Sequence, residues 1–161
     1  MTIKVGDKLP SVTLRQVTPE GPKEVATDDF FRGKKVALFA VPGAFTPACS
    51  QRHLPGYVDK ASDIKGKGVD EVACVAVNDP AVMTAWGKDQ RAEGRVAMLA
   101  DGSGDFVRAL GLELDLTKAG LGMRSKRYSM LVDNGIVKSL NIEEQPGQVD
   151  VSSAETMLRA L

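Results

Sequence analysis

The sequence has little from which to build a metal site or a disulfide framework. It holds two cysteines and one histidine in 161 residues. Neither a C-x-x-C nor an H-x-x-x-H pair occurs, so no zinc ligand set is expected. Two cysteines are too few for a disulfide scaffold. In a reducing compartment they are thiols, each open to a catalytic or redox role. Net charge is also missing: 21 basic side chains balance 21 acidic ones. That excludes a general electrostatic attraction to nucleic acid or an anionic membrane. No apolar run approaches the length that spans a bilayer. The N-terminal Met1-Thr-Ile-Lys-Val-Gly lacks the apolar segment of a signal peptide, and a cytoplasmic location is expected. There is no internal repeat and no low-complexity segment. The length suits one domain, residues 1–161, with one core.

What is present reads as strands alternating with helices. Ser11–Val17 alternates apolar and polar residues, with Val12 and Leu14 inward. Lys23–Ala26 returns after a Pro19–Pro22 turn as a hairpin. Thr27-Asp28-Asp29 caps a short turn through Phe30-Phe31. This N-terminal part is expected in front of the main sheet. Lys34–Val41 is the first central strand. A helix from Thr46 toward Lys65 places Leu54, Tyr57, Val58, Ala61 and Ile64 on one face, and Pro55 predicts a kink within it. Glu71–Val77 is a second buried strand. Asn78-Asp79-Pro80 then opens a helix to about Glu93, with Val82, Met83 and Trp86 inward. Arg95–Ala100 is a strand, Gly104–Leu110 a short helix and Leu112–Met123 a loop. Tyr128–Asp133 and Ile136–Ile142 pair through an Asn134-Gly135 turn. Ser152-Ser-Ala-Glu155 is a capping box for a last helix. The order predicts an α/β fold, a mixed sheet covered by helices on both faces.

The chain is organised around Val36–Cys49. Val36–Val41 is apolar throughout, as in a strand buried on both faces. Pro42-Gly43 stops it. Thr46-Pro47 reads as an N-cap followed by proline at the first helical position, which makes Cys49 the third helical residue. Unpaired backbone N–H groups and the positive end of the helix dipole favour an anion there. The position therefore suits a reactive thiolate.

The run Pro42-Gly43-Ala44-Phe45-Thr46-Pro47-Ala48-Cys49-Ser50 resembles the peroxidatic motif of the peroxiredoxins, whose pattern falls on Pro42, Thr46 and Cys49. With Val41 in front and Gln51–Pro55 behind, it is similar to the peroxiredoxin-5, or plant type II, group. The similarity continues through Asn78-Asp79-Pro80, Trp86 and Arg124–Val132. The resemblance implies a thioredoxin-like fold carrying an N-terminal hairpin extension. It also implies a thiol-dependent peroxidase acting on hydrogen peroxide and small organic hydroperoxides, with no cofactor. Cys49 would be the nucleophile and Thr46 would orient its hydroxyl toward sulfur or peroxide. Pro42 would shield the thiolate. Arg124, in the family's distal arginine position, would reach back to the corner, although the sequence alone does not choose among Arg124, Lys126 and Arg127. His53 lies one turn beyond Cys49; it either tunes the thiolate or makes a structural hydrogen bond.

Thiolate formation explains only part of such a reaction. Shifting a thiol from about 8.5 to about 6 raises its thiolate fraction only tens-fold at neutral pH, and nucleophilicity falls with it. Stabilising the departing oxygen must supply more. The sulfenic acid then needs a reductant. Cys74 lies 25 residues after Cys49, a spacing that resembles plant type II members, but within an apolar strand where a thiol is usually inert. It is either a resolving or a structural thiol. Residues 141–161 contain no cysteine. A one-cysteine cycle is therefore expected, reduced by glutathione with glutaredoxin or by thioredoxin. The resemblance implies a homodimer, with Phe45, Leu112–Leu116 and Leu121 as contacts. A peroxide sensor or redox-regulated holdase would use the same Cys49. A disulfide oxidoreductase is disfavoured by the missing C-x-x-C.

Overall fold

A computed structural model describes residues 2–161. Seven strands form one mixed sheet in the order β2-β1-β5-β4-β3-β8-β9. At its centre, β3 (Lys35–Val41) runs parallel to β4 (Glu71–Ala76), which runs parallel to β5 (Ala97–Ala100). On the other side of β3, β8 (Tyr128–Asp133) is antiparallel, and β9 (Ile136–Ile142) closes that edge. Val36 to Val41 are all fully buried, as a continuous apolar run in a central strand requires.

Strand alternation divides the core in two. Ala37, Phe39 and Val41 point to one face, with Cys49, Cys74 and the buried residues of α2 (Leu54–Gly66), α3 (Pro80–Asp89) and α5 (Ala154–Ala160). Val36, Leu38 and Ala40 point to the other, with Phe30 and Phe31 of α1 (Thr27–Phe31) and Phe106 and Leu110 of α4 (Asp105–Leu110). The buried residues of α2 are Leu54, Tyr57, Val58, Ala61 and Ile64, the face its 3.6-residue period predicts. Asp79 caps α3 by accepting a hydrogen bond from Val82 N–H, and Pro80 follows in the first turn. Asn134 and Gly135 both take positive φ, as a tight β8–β9 turn demands.

Several elements differ from the sequence expectations. The N-terminal hairpin of β1 (Thr13–Gln16) and β2 (Lys23–Ala26) is not set apart, because β1 pairs with β5 and extends the main sheet. The helix begins at Pro47, but Cys49–His53 forms a π-helical turn in which Leu54 N–H reaches Cys49 O. Pro55 has no N–H to give to a residue behind it, and the irregularity falls just before it. α3 stops at Asp89, short of Glu93. Residues 112–123 are not a loop: β6 (Glu113–Leu116) and β7 (Gly122–Ser125) form a separate antiparallel pair around a 3₁₀ turn. Ser153 rather than Ser152 caps α5, accepting from Thr156 N–H. Ser152 is buried and used elsewhere. Among the described residues, no helix is long and apolar enough to cross a membrane.

Ile64 sits fully buried at the end of the α2 stripe. Ile64→Ala is expected to lower stability by about 2–5 kcal/mol. In urea unfolding the midpoint should fall with little change of slope.

Candidate active site

The corner after β3 is fastened by side-chain hydrogen bonds. Pro42 and Gly43 are buried, and Ala44 N–H donates to Asn78 Oδ1 at 2.9 Å, tying the corner to the end of β4. Phe45 takes φ 64°, an unusual left-handed value for a bulky side chain. Its ring is 52% exposed and 6.5 Å from that of Trp86. The Thr46 hydroxyl donates to Gly43 O at 2.7 Å, turning it back on the corner instead of accepting from the helix, as a cap would. Trp86 Nε1 donates to Ser50 Oγ at 3.0 Å, pinning the turn that carries Cys49.

Cys49 has no exposed surface. Arg127 Nη2 donates to its sulfur at 3.1 Å. The guanidinium on the sulfur is thus Arg127, not Arg124. The reason is topological. Arg124 lies on β7, outside the main sheet, and its Nε and Nη1 donate to Leu121 O and Val77 O. Its end still lies over the corner, since a Cβ built on Gly43 would come within 3.3 Å of Nη1. Arg127 immediately precedes β8, the neighbour of β3, and is 2% exposed.

Arg127 also donates through Nε to Pro146 O (3.0 Å) and through Nη1 to His53 Nδ1 (2.9 Å). A guanidinium only donates, so Nδ1 must accept and Nε2 must carry the proton. Nε2 lies 3.0 Å from Ser152 O, which also accepts from Tyr57 O–H at 2.8 Å. The Glu143 carboxylate accepts from Ser152 N–H and O–H and from Asp150 N–H, while Glu143 N–H donates to Arg127 O. Arg127, His53, Ser152 and Glu143 therefore close a ring of contacts. His53 was legible only as a residue one turn from Cys49. Glu143 and Ser152 carried no sequence signal for the site, because only the fold brings residues 143 and 152 beneath the helix.

Burial, reinforced by the positive charge of Arg127, lowers the His53 pKa to about 3, so the ring is neutral at physiological pH. Burial works against ionisation of Glu143, but hydrogen bonds from Ser152, Asp150 and Val151 outweigh it and hold its pKa below the usual range. Burial pushes the Cys74 thiol well up, and the nearby Cys49 adds to that. Cys74 is fully buried in β4, paired with Phe39 and Met98. It meets neither solvent nor a reductant without local opening.

Both His53 and Glu143 bind protons less readily folded than unfolded. Stability therefore falls on acidification, from about pH 6.5 downward for His53 and below about 4.5 for Glu143. Glu143→Gln should cost about 1–3 kcal/mol at neutral pH, since one amide oxygen replaces a carboxylate with three donors. The difference from wild type should shrink as pH falls below about 4. Urea unfolding across that range checks both.

The chain matches the Redoxin family model over residues 4–158. It is 52% identical to chloroplastic peroxiredoxin-2E of Arabidopsis thaliana, covering 99% of this chain and 70% of that one. The crystal structure of reduced Prx3 of Vibrio vulnificus in complex with H2O2 is 53% identical over 99% of both chains, with a TM-score of 0.93. A Burkholderia cenocepacia structure under a provisional thioredoxin reductase name is 45% identical, covers 100% of this chain and 99% of its own, and has a TM-score of 0.97. That name does not transfer, because a C-x-x-C pair is missing here. Matched along nearly its whole length by the family model and by relatives at about half identity, the chain belongs to the Redoxin family, among its peroxiredoxins.

Proposed function

We propose that Cys49 performs the thiol-dependent peroxidase reaction of this family on hydrogen peroxide and small organic hydroperoxides. The observation that carries the reading is the buried Arg127 guanidinium donating directly to the Cys49 sulfur. A buried cation donating to the sulfur is placed to pair with the thiolate that attacks peroxide. The thiolate attacks one peroxide oxygen, the O–O bond breaks, and the other oxygen leaves as hydroxide or alkoxide and takes up a proton. Cys49 becomes a sulfenic acid. Arg127 is positioned to stabilise the negative charge as it moves from sulfur to the departing oxygen. The Thr46 hydroxyl, at the inner side of the corner, supplies a second polar group. Pro42, buried at the start of the corner, is assigned the shielding role that the family motif implies. A sulfur with no exposed surface suits a small substrate.

An external thiol completes the cycle. It condenses with the sulfenic acid, releasing water and forming a mixed disulfide, and a second thiol then frees Cys49. Burial of Cys74 in β4 supports this one-cysteine route. Glutathione with glutaredoxin, or thioredoxin, is the donor class we assign. Two unpaired thiols suit a reducing compartment, and we place the protein in the cytoplasm. We assign a homodimer through the corner face. Phe45 and Met123 support it as large apolar residues more than half exposed. Of the residues expected at that contact, Leu112 is excluded: it is fully buried, packed in the core beneath α4.

Cys49→Ser should abolish peroxide consumption, and Arg127→Ala should lower kcat/KM by about 10²–10³-fold. Arg124→Ala should cost less, because its donors are spent on backbone carbonyls. Coupled assays with each reductant system identify the donor. Rapid Cys49 oxidation without turnover in either system would favour a sensor instead.

A further inference from the structure

We propose that His53 is the positioning residue for Arg127: the ring formed with Ser152 and Glu143 holds the guanidinium on Cys49 through the acceptor nitrogen of His53. This rests on Cys49 being the reactive thiol. The hydrogen-bond partners of Arg127 are Pro146 O, His53 Nδ1 and Cys49 Sγ. Two are neutral, and the sulfur is the one able to carry negative charge. Among the described residues, no carboxylate forms an ion pair with Arg127. A neutral acceptor aims the group without competing for its charge. Of the three partners, the sulfur is the one on which a reacting thiolate would face the guanidinium.

The orientation of His53 is itself determined. Its Nε2–H faces the Ser152 carbonyl, whose second lone pair is taken by Tyr57 O–H. The backbone around Ser152 is clamped by Glu143, and the backbone N–H of Glu143 returns to Arg127 O. The ring packs at a tilt beside the stacked rings of Phe39 and Tyr57, with centroids at 4.8 and 5.6 Å. The charged and titratable groups facing it are Arg127, Cys49, Tyr57 and, through Ser152, Glu143. The segment Asp150–Ser153, far in sequence from the corner, thereby sets where the guanidinium points.

A packing role and a positioning role make different predictions. His53→Phe keeps an aromatic ring against the Phe39–Tyr57 stack but deletes both nitrogens. His53→Gln keeps an acceptor and a donor. His53→Phe is expected to lower the ultraviolet thiolate absorbance at neutral pH and to slow single-turnover oxidation by hydrogen peroxide about ten-fold or more. His53→Gln should recover most of both. In an Arg127→Ala background, His53→Phe should add no further loss, because its effect passes through Arg127. Unchanged thiolate absorbance and rate in His53→Phe, or losses that multiply in the double variant, would overturn the proposal. Should His53→Phe fail to fold, nitrogen NMR of the wild-type imidazole decides. An unprotonated Nδ1 beside a protonated Nε2 is expected; the opposite tautomer, or an imidazolium at neutral pH, overturns it. Absorbance and NMR are read without peroxide, so they stand apart from the peroxidase assignment.

Discussion

Arg127 is a buried cation whose partners are a carbonyl, an imidazole and a sulfur, and that arrangement constrains everything around it. An isolated charge in a protein interior is costly unless it is matched. Here the group that faces the guanidinium besides two neutral acceptors is the Cys49 sulfur. In the reaction we propose, the same contact stands where charge develops as the peroxide bond breaks. One side chain therefore links the resting state of the site to its chemistry.

The fold supplies this contact by sheet order. β3 delivers the corner and Cys49; β8, its antiparallel neighbour, begins one residue after Arg127. Cys49 and the cation thus arrive from the ends of adjacent strands whose pairing is buried on both faces. α2 covers them, α5 packs against α2, and the turn before α5 is fastened to Glu143 at the end of β9. The closed ring of contacts ties the C-terminal part of the chain to the centre of the sheet.

Local signals were legible in the sequence and long-range ones were not. The α2 stripe, the Asp79 cap and the Asn134-Gly135 turn each depend on residues a few positions apart. The choice between Arg124 and Arg127 depended on strand pairing: β7 joins β6 in a separate ribbon, while β8 joins β3. The alternation of Glu113-Leu114-Asp115-Leu116 was too short to compete with the glycines at 120 and 122, which read as a loop. Ser152 looked like a cap because it lies one residue before the true one. Its carbonyl and hydroxyl are instead consumed by residues 95 to 99 positions away and by Glu143. No local pattern encodes that.

The π-helical turn at Cys49–His53 sets the rotational phase between two parts of one helix. Each helical residue advances the side-chain direction by about 100°. α2 must present Leu54, Tyr57, Val58, Ala61 and Ile64 to the sheet, and in an unbroken α-helix that demand would dictate where Cys49 points. The widened turn accommodates one residue without passing on its rotation. The direction of the sulfur is thereby freed from the direction of the packed stripe. A chain shorter by one residue at this turn could keep its core or its aim on Arg127, but not both.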